Sequence, residues 1–432
     1  MKKRCIPGFL LLIALVFVVW LTPVQAVELP GLDATLHGFV DTRYGQRLQK
    51  DLYQRDDSLA EARIQLGLNR MGDLTTLQLR ADVYYDDLVN QDDVELEEGR
   101  GWLDLREANL LVSPHELVDL KAGRQILTWG TGDLLFINDL FPKDWQSFFV
   151  GRDEEYLKAP SDALLLSFFP ENVNIDFVWT PRFDSDRYIR GERLSYWNPM
   201  LGRTAGRDAV INPTIPEDWV DDGEYALRLS KNLAGYELAL YGYFGFWKSP
   251  LGFDPLSARP IFPELSVYGA SGRGNLGPGL FNIEAGYYDS RQDRDGDDPN
   301  IPNSEGRFLA GYEQEVVRNI TLAAQYYLEV LQEYDQYRLA LPPSQTARDE
   351  YRQLLTLRLT WMLHNQNMTV SFFGYYSPTD EDSYLRPSIQ YKLNDDWMLT
   401  VGGNLFAGKK EDTFFGQFED NTNIYAGIRY SF

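Results

Sequence analysis

Residues 353–363 read QLLTLRLTWML, and the spacing of apolar residues in this stretch decides the fold. The apolar residues occupy alternate positions: Leu355, Leu357, Leu359, Trp361 and Leu363. Between them lie Thr356, Arg358 and Thr360. A period of two residues predicts a β-strand with one apolar and one polar face, and it recurs in residues 76–86, 321–331 and 384–393. Strands of about 10–14 residues with aromatic residues near their ends are typical of strands that cross a membrane.

The connections between these segments alternate between short and long. Short ones lie near residues 71–73, 113–116, 170–172, 232–235, 275–279, 317–319, 364–367 and 394–396. Long ones lie near residues 48–57, 87–100, 130–162, 183–222, 248–263, 290–306, 334–348, 379–383 and 408–421. Nine long and eight short connections predict an all-β transmembrane antiparallel barrel of about 18 strands, with about 16 as the alternative, that has short periplasmic turns and long extracellular loops. Closure is required because an open sheet edge would leave backbone groups unpaired in lipid.

Composition excludes several other classes of protein. The 432 residues carry 64 acidic and 41 basic side chains, and a net charge of −23 argues against nucleic-acid binding. One long apolar run lies at the N-terminus, where Lys2, Lys3 and Arg4 precede apolar residues 8–21 and a small-residue cleavage site ends at Ala26. Residues 1–26 are therefore predicted to be a secretory signal peptide, with a membrane anchor as the alternative, and residues 27–432 to form the barrel.

The final segment, residues 422–432, reads TNIYAGIRYSF and ends on phenylalanine. One face of this strand carries Ile424, Ala426, Ile428, Tyr430 and Phe432. This ending resembles the C-terminal assembly signal of Gram-negative outer-membrane barrels, in which Tyr430 and Phe432 would be recognised. The resemblance implies an integral outer-membrane location in a Gram-negative bacterium, with membrane lipid, lipopolysaccharide and the barrel-assembly machinery as partners. A secreted all-β protein is the alternative.

The polar face of the strands must point into the lumen of a transmembrane barrel, and it carries both signs of charge. The candidate lumen residues are Arg63, Arg80, Asp82, Asp86, Arg106, Lys121, Arg228, Arg358, Arg386 and Arg429. Asp104, Asp176, Glu237, Glu284 and Glu329 are expected on the same face. A lumen of this kind produces a transverse field that orients polar solutes. The alternative is an interior that is closed by salt bridges.

Residues 130–162 form the most distinctive connection, because they combine length with apolar side chains. These are Leu134, Leu135, Phe136, Ile137, Leu140, Phe141, Trp145, Phe148 and Phe149. So much apolar surface favours burial, and we predict that the loop folds into the lumen and narrows it. Gly130 and Gly132 permit a sharp departure from the preceding strand. The alternative is an external loop that packs on its neighbours.

Residues 100–182 resemble the alginate-export-type outer-membrane barrels and a related family linked to RND-type exporters of hydrophobic cargo. Three motifs carry the resemblance: Gly123-Arg124-Gln125 with Trp129-Gly130, then Phe141-Pro142-Lys143-Asp144, and later Trp179-Thr180-Pro181. The resemblance implies that the inner loop and constriction are shaped by Arg124, Trp129, Asp139, Pro142 and Asp144. The mixed charge of the predicted lumen argues against a conduit dedicated to a polyanion, so the resemblance concerns fold and location more than cargo.

Enzyme and metal sites are not predicted. The only histidines, His37, His115 and His364, fall at predicted periplasmic strand ends, away from the outer rim where a barrel hydrolase needs its base. Residues 293–298 read DRDGDD, but Gly296 is fourth rather than sixth and Ser304 occupies the twelfth position, so an EF-hand pattern is not met. We expect no cofactor.

The sequence predicts a porin-like conduit for small solutes, narrowed by residues 130–162, because about 18 strands enclose more space than side chains fill. One alternative is the outer-membrane component of an export system that receives hydrophobic or polymeric cargo from periplasmic or inner-membrane proteins. Another is a closed structural or adhesive barrel that acts through its long loops, residues 183–222 above all.

Overall fold

The computed structural model describes residues 27–29, 31, 33–89, 93–343 and 345–432, so the predicted signal peptide lies outside the described residues. The strands are β1 (Val27–Leu29), β2 (Ala34–Arg47), β3 (Asp57–Met71), β4 (Thr75–Asp86), β5 (Leu103–His115), β6 (Val118–Gln125), β7 (Ser161–Phe168), β8 (Asn174–Thr180), β9 (Tyr196–Asn198), β10 (Arg203–Ala205), β11 (Glu224–Leu233), β12 (Tyr236–Phe246), β13 (Gly252–Asp254), β14 (Arg259–Ile261), β15 (Glu264–Leu276), β16 (Gly279–Ser290), β17 (Glu305–Val317), β18 (Ile320–Leu331), β19 (Tyr351–Leu363), β20 (Met368–Ser377), β21 (Asp382–Lys392), β22 (Trp397–Gly408) and β23 (Asn423–Ser431).

Eighteen of the strands in the described residues form one closed antiparallel wall: β2–β8, β11, β12 and β15–β23. The wall closes because β2 pairs with β3 along one edge and with β23 along the other. The junction between β2 and β23 is called the seam, and β1 extends it by pairing with the start of β2. The predicted barrel and its strand number are confirmed.

Short and long connections lie at opposite ends of the wall. Eight turns of two to five residues join strands at one end, which also holds the start of β2 and the C-terminus. The β11–β12 turn shows why they can be so short: Ala234 and Gly235 both adopt positive φ, 52° and 86°, as a two-residue hairpin turn requires. The other nine connections gather at the opposite end, called the long-loop end below, and all of them are longer except the four-residue β20–β21 connection.

The two faces of the wall differ as the alternation predicts. In β4, the outward Leu79 and Val83 are 40% and 46% exposed, whereas the inward Asp82 is fully buried. Outward aromatic residues form a band near the long-loop end: Tyr44, Tyr85, Tyr225, Phe244, Tyr268, Tyr287, Tyr351 and Tyr376. Trp397 and Tyr430 pack together near the other end. An apolar belt between aromatic bands matches the profile of a lipid bilayer.

The helices in the described residues are few and short. Helix α1 (Trp145–Val150) lies in the β6–β7 connection and α2 (Tyr334–Ala340) in the β18–β19 connection. Short 3-10 segments cover Glu154–Leu157 and Gly416–Asn421. None of the helices in the described part of the chain is long and apolar enough to span a membrane. The largest buried apolar cluster lies inside the wall, around the β6–β7 connection.

Candidate functional site: the lumen and its inner loop

The β6–β7 connection, residues 126–160, is called the inner loop. Its Asn138 contacts Glu284 on β16, its Asp133 contacts Arg358 on β19, and its Tyr156 contacts Asp82 on β4. These strands lie on different sides of a closed wall, so a segment that reaches their inward side chains must cross the lumen. The predicted boundaries shift slightly, because residues 161 and 162 already belong to β7.

Glu284 holds the entry of the inner loop. Its carboxylate is 2% exposed. It accepts hydrogen bonds from the backbone N–H groups of Thr131, of Gly132 at 2.7 Å and of Asn138 at 3.2 Å, and from Asn138 Nδ2 at 3.0 Å. Gly130 makes this approach possible, because its φ is +80° and a Cβ there would lie 3.1 Å from Glu284 Oε1. A buried carboxylate is thus balanced by loop donors rather than by a cation.

A row of arginines lines the wall opposite the acidic part of the inner loop. Arg358 on β19, Arg386 on β21, Arg429 on β23 and Arg43 on β2 belong to it. The facing loop acids are Asp133, Asp153, Glu154 and Glu155. Arg358 binds Asp133 in bidentate fashion, at 2.6 and 2.8 Å, and Arg43 lies 2.5 Å from an oxygen of Asp153. The acidic part of the inner loop is therefore held against this side of the lumen by direct ion pairs.

A polar cavity of about 270 Å³ extends from the arginine row toward the short-turn end. Its wall is formed by hydroxyl and amide side chains: Thr360, Thr369, Ser371, Ser388, Gln390 and Thr400. The Nε atom of Arg386, a residue 8% exposed, has no hydrogen-bond partner among the described residues. This cavity therefore offers hydrogen-bonding groups and an arginine with spare donor capacity to a polar solute.

On the other side of the lumen, predicted lumen residues hold the inner loop. Arg63 pairs with Glu61 at 2.7 Å and also with Asp82. The Tyr156 hydroxyl donates to Asp82 at 2.7 Å, and the Arg63 guanidinium lies 4.3 Å from the Tyr156 ring centre. Arg106 Nη2 donates to the carbonyl of Lys158 at 2.6 Å. These charges are used for docking the loop.

Aromatic packing fills the space between helix α1 and β20–β23. Asp144 caps α1, because it accepts from Ser147 N at 2.7 Å and from Ser147 Oγ at 2.6 Å. The cap orients Phe148 and Phe149 toward the wall, where both rings pack edge-on against Tyr384 at 5.7 and 5.2 Å. Phe406 stacks on Tyr384 at 4.3 Å. With the polar contacts described above, this packing ties the inner loop to strands around the perimeter of the lumen.

Residues 183–211, called the outer cap, cover the lumen at the long-loop end. Arg187 forms a bidentate pair with Asp104 at 2.7 and 2.9 Å. Arg193 pairs with Asp86 at the end of β4. The backbone N–H of Ser195 donates to Asn421 at 3.1 Å. The sequence predicts a long outer loop here and does not predict that this loop covers the lumen. The signal for this docking is the five arginines of the segment in an otherwise acidic chain.

Two buried carboxyl groups, Asp184 and Asp186, lie at the start of the outer cap. Burial raises the pKa of Asp184 to about 7, with Lys248 opposing the rise and Glu224 and Asp162 adding to it. Burial also raises the pKa of Asp186, although the Lys143 backbone N–H and the Trp145 indole donate to its carboxylate. The cap is therefore docked through groups whose charge depends on pH.

The remaining predicted site residues fall into two sets. Near the short-turn end, Arg80 pairs with Glu107 at 3.0 Å, Arg228 pairs with Glu237 at 2.7 Å, and Lys121 lies near Glu107. The other set lies within the inner loop. Trp129 packs on Phe141 at 5.0 Å, Asp139 accepts from Thr128 at 2.8 Å, and Pro142 accepts from Ala159 through its carbonyl.

The structure contradicts the predicted position of Arg124. We predicted that it shapes the constriction, but it pairs in register with Ala108 and Asp162 on the outward face and binds the carbonyls of Leu105 and Leu96. Alternation explains this placement: Lys121 faces inward, and a residue three positions later must face outward.

The C-terminal residues lie at the seam. Phe432 exchanges two backbone hydrogen bonds with Gly38, and the Tyr430 ring packs outside the wall on Trp397. All three histidines lie in the half of the barrel nearest the short turns. Among the described residues, no group of three His, Cys, Asp or Glu side chains is placed to hold a metal ion.

Comparison with solved structures gives the fold. The crystal structure of Pseudomonas aeruginosa OccD3 (OpdP) is similar, with a TM-score of 0.53 and 10% sequence identity over 95% of this chain and 92% of that chain. A triple mutant of the Rhodopseudomonas blastica porin has a TM-score of 0.41 at 11% identity, covering 92% of this chain and 100% of its own. OmpT of Vibrio cholerae with loop L8 deleted also has a TM-score of 0.41 at 11% identity, covering 93% and 100%. No protein family and no curated protein matches the sequence.

Proposed function

We propose that this protein is a porin-like channel of a Gram-negative outer membrane, through which small polar solutes pass under the control of the inner loop. The observation that carries the proposal is a closed wall with an apolar belt outside and a charged lumen inside, crossed by a loop that ion pairs, hydrogen bonds and aromatic packing hold to the wall. The likeness in fold to OccD3 is consistent with this function.

The arginine row and the facing loop acids set the selectivity in this proposal. A solute beside Arg358 and Arg386 meets both guanidinium groups together with the Glu154 carboxylate, which lies 3.5 Å from each of them. Such a field orients polar molecules and slows apolar ones. The hydroxyl and amide groups of the polar cavity next to the arginine row replace the water molecules that hydrate the solute.

A closed barrel is the second candidate, and the docking of the inner loop favours it. The loop contacts strands from β2 to β5 and from β16 to β23, and the outer cap adds a second layer. A structural barrel would keep both in place permanently, whereas a channel must release at least part of the inner loop.

Single-channel recording in planar bilayers separates the two. The channel proposal expects discrete openings in the wild type and a larger, steadier conductance when residues 128–158 are replaced by a short Gly-Ser linker. The matched control replaces residues 335–346, where helix α2 has no buried side chain. Absence of conductance in both the wild type and the inner-loop deletion would refute the channel and support the closed barrel.

The export hypothesis makes a different prediction in cells. A deletion strain would retain a cargo in the periplasm if the protein exports it, whereas loss of a channel would slow solute uptake. Retention with unchanged uptake would favour export.

A further inference from the structure

A second cavity, of about 410 Å³, lies on the other side of the inner loop, toward the long-loop end. It is called the outer cavity. The inner loop contributes Phe136 and Trp145, the outer cap Ile189, and the β12–β15 connection Trp247. Its wall residues Leu265 and Tyr288 are 1% and 2% exposed, whereas Leu251 is 56% exposed, so the cavity extends from solvent to the buried wall. A volume of several hundred Å³ with mostly apolar and aromatic walls is typical of small-molecule sites.

We propose that the outer cavity binds an uncharged, planar, largely apolar compound that carries one hydrogen-bond acceptor. This site is separate from the polar cavity beside the arginine row, and its occupation does not require transport.

The charged groups in the walls already have partners within the protein, which favours an uncharged ligand. The Asp186 carboxylate accepts from the Lys143 backbone N–H at 2.7 Å, the Trp145 indole at 2.9 Å and the Ser249 hydroxyl at 3.2 Å. Three cations line the cavity, and each has a partner: Lys143 pairs with Asp139 at 3.0 Å, Lys248 with Glu224 at 2.6 Å, and Arg307 with Glu305 at 2.7 Å. A charged ligand would have to compete with these buried pairs, whose members are costly to separate. An uncharged ligand leaves them intact.

The indole N–H of Trp247 is the reason for proposing a hydrogen-bond acceptor on the ligand. This residue is 4% exposed, and its indole Nε1 has no hydrogen-bond partner among the described residues. A buried donor without a partner is unfavourable, and an indole N–H can only donate. A carbonyl or ether oxygen on the ligand would satisfy it.

Aromatic rings in the walls favour a planar ligand. Trp247 and Tyr288 lie 5.6 Å apart with an interplanar angle of 31°, so neither is packed face to face on the other. Trp145 and Phe136 meet edge-on at 6.0 Å on the inner-loop side. A flat ring system can therefore contact rings from both the loop and the wall.

Equilibrium dialysis tests the proposal on the full barrel in lipid nanodiscs, with empty nanodiscs as the reference for partition into lipid. The probe is radiolabelled 2-acetonaphthone, which has a planar apolar body and one carbonyl. We expect saturable binding of one molecule per chain above the empty nanodiscs. Its analogue 2-ethylnaphthalene, which lacks the acceptor, should bind roughly 3- to 10-fold more weakly.

Two variants and a control assign the binding to the outer cavity. Trp247→Phe keeps a ring but removes the donor, so it should give both compounds equal affinity. Ile189→Trp should fill the cavity and abolish saturable binding, with heat-modifiable electrophoretic mobility as the check of folding. Trp102→Phe, at an indole that is 49% exposed, should bind as the wild type does.

Binding equal to that of empty nanodiscs would overturn the proposal, and so would equal affinity of the wild type for the two compounds. The compound pair decides the outcome even if Ile189→Trp does not fold. Because no transport is measured, failure of the channel proposal would leave this result unchanged.

Discussion

Glu284→Gln is the perturbation that tests most directly how the inner loop is held. In the wild type, Oε1 accepts from the N–H groups of Thr131 and Gly132, and Oε2 accepts from Asn138. A glutamine keeps one of these oxygens and turns an NH₂ group toward the donors of the other. At least one buried donor then loses its acceptor in either orientation of the amide.

The expected cost follows from these contacts. An unsatisfied buried donor costs about 1–3 kcal/mol, and the wild-type carboxylate serves two donors on each oxygen. Removal of a buried charge offsets part of this loss, so we take about 2 kcal/mol as the net effect on docking. That difference raises the population of the released inner loop by about 30-fold.

Hydrogen exchange read by mass spectrometry measures this population for residues 131–138, and single-channel recording measures the frequency of openings. Glu237→Gln is the matched control, because it removes the same charge from the lumen at a residue that pairs with Arg228 rather than with the loop. Exchange in the Glu284 variant within twofold of the wild type, or an equal acceleration in the control, would refute this account of docking.

Three further predictions concern the outer cap, the end of helix α1 and the seam. The pKa of Asp184 is about 7 in the docked cap and about 3.9 in water, so the docked cap binds the proton more tightly than the released cap does. The stability of the docked cap is therefore highest below about pH 4 and falls as the pH rises to about 7. Hydrogen exchange of residues 183–190, corrected for intrinsic rates, should increase from about pH 5 to 8, and an equal increase in Asp184→Asn would contradict the assignment. Gly151→Ala places a Cβ at φ +91° and 2.3 Å from the Tyr425 ring, so it should weaken inner-loop docking by more than the roughly 1–2 kcal/mol of backbone strain alone. Gly202→Ala is the control for that strain, because its φ is +61° and a Cβ there meets open space. An equal increase of hydrogen exchange in the two loops would count against the clash with Tyr425. Deletion of Phe432 removes two backbone hydrogen bonds at the seam and should lower the heat-modifiable fraction of the protein in membranes, whereas Leu256→Ala at a fully solvent-facing position should not.

The sequence alone determined the wall. Period-two alternation marks each strand because successive side chains point to opposite faces, and the turns follow from where the alternation stops. The same alternation predicts which charged side chains face the lumen, as it does for Arg63, Asp82 and Arg358. The same rule places Arg124 on the outward face, because it lies three positions after the inward Lys121, whereas the motif that contains it gives no information on which face it occupies.

Only the tertiary structure decided what the lumen contains. The apolar content of residues 130–162 suggested that they fold inward, but not that Glu284, Asp82 and Arg358 would dock them. The outer cap, with Arg187 on Asp104 and Arg193 on Asp86, had no local signature other than its arginines. The physical reason is that a strand is determined by the spacing of apolar residues along a short stretch of sequence, and this spacing repeats along the chain. The docking of a loop depends instead on side chains that are far apart in sequence and come together only after the wall has closed.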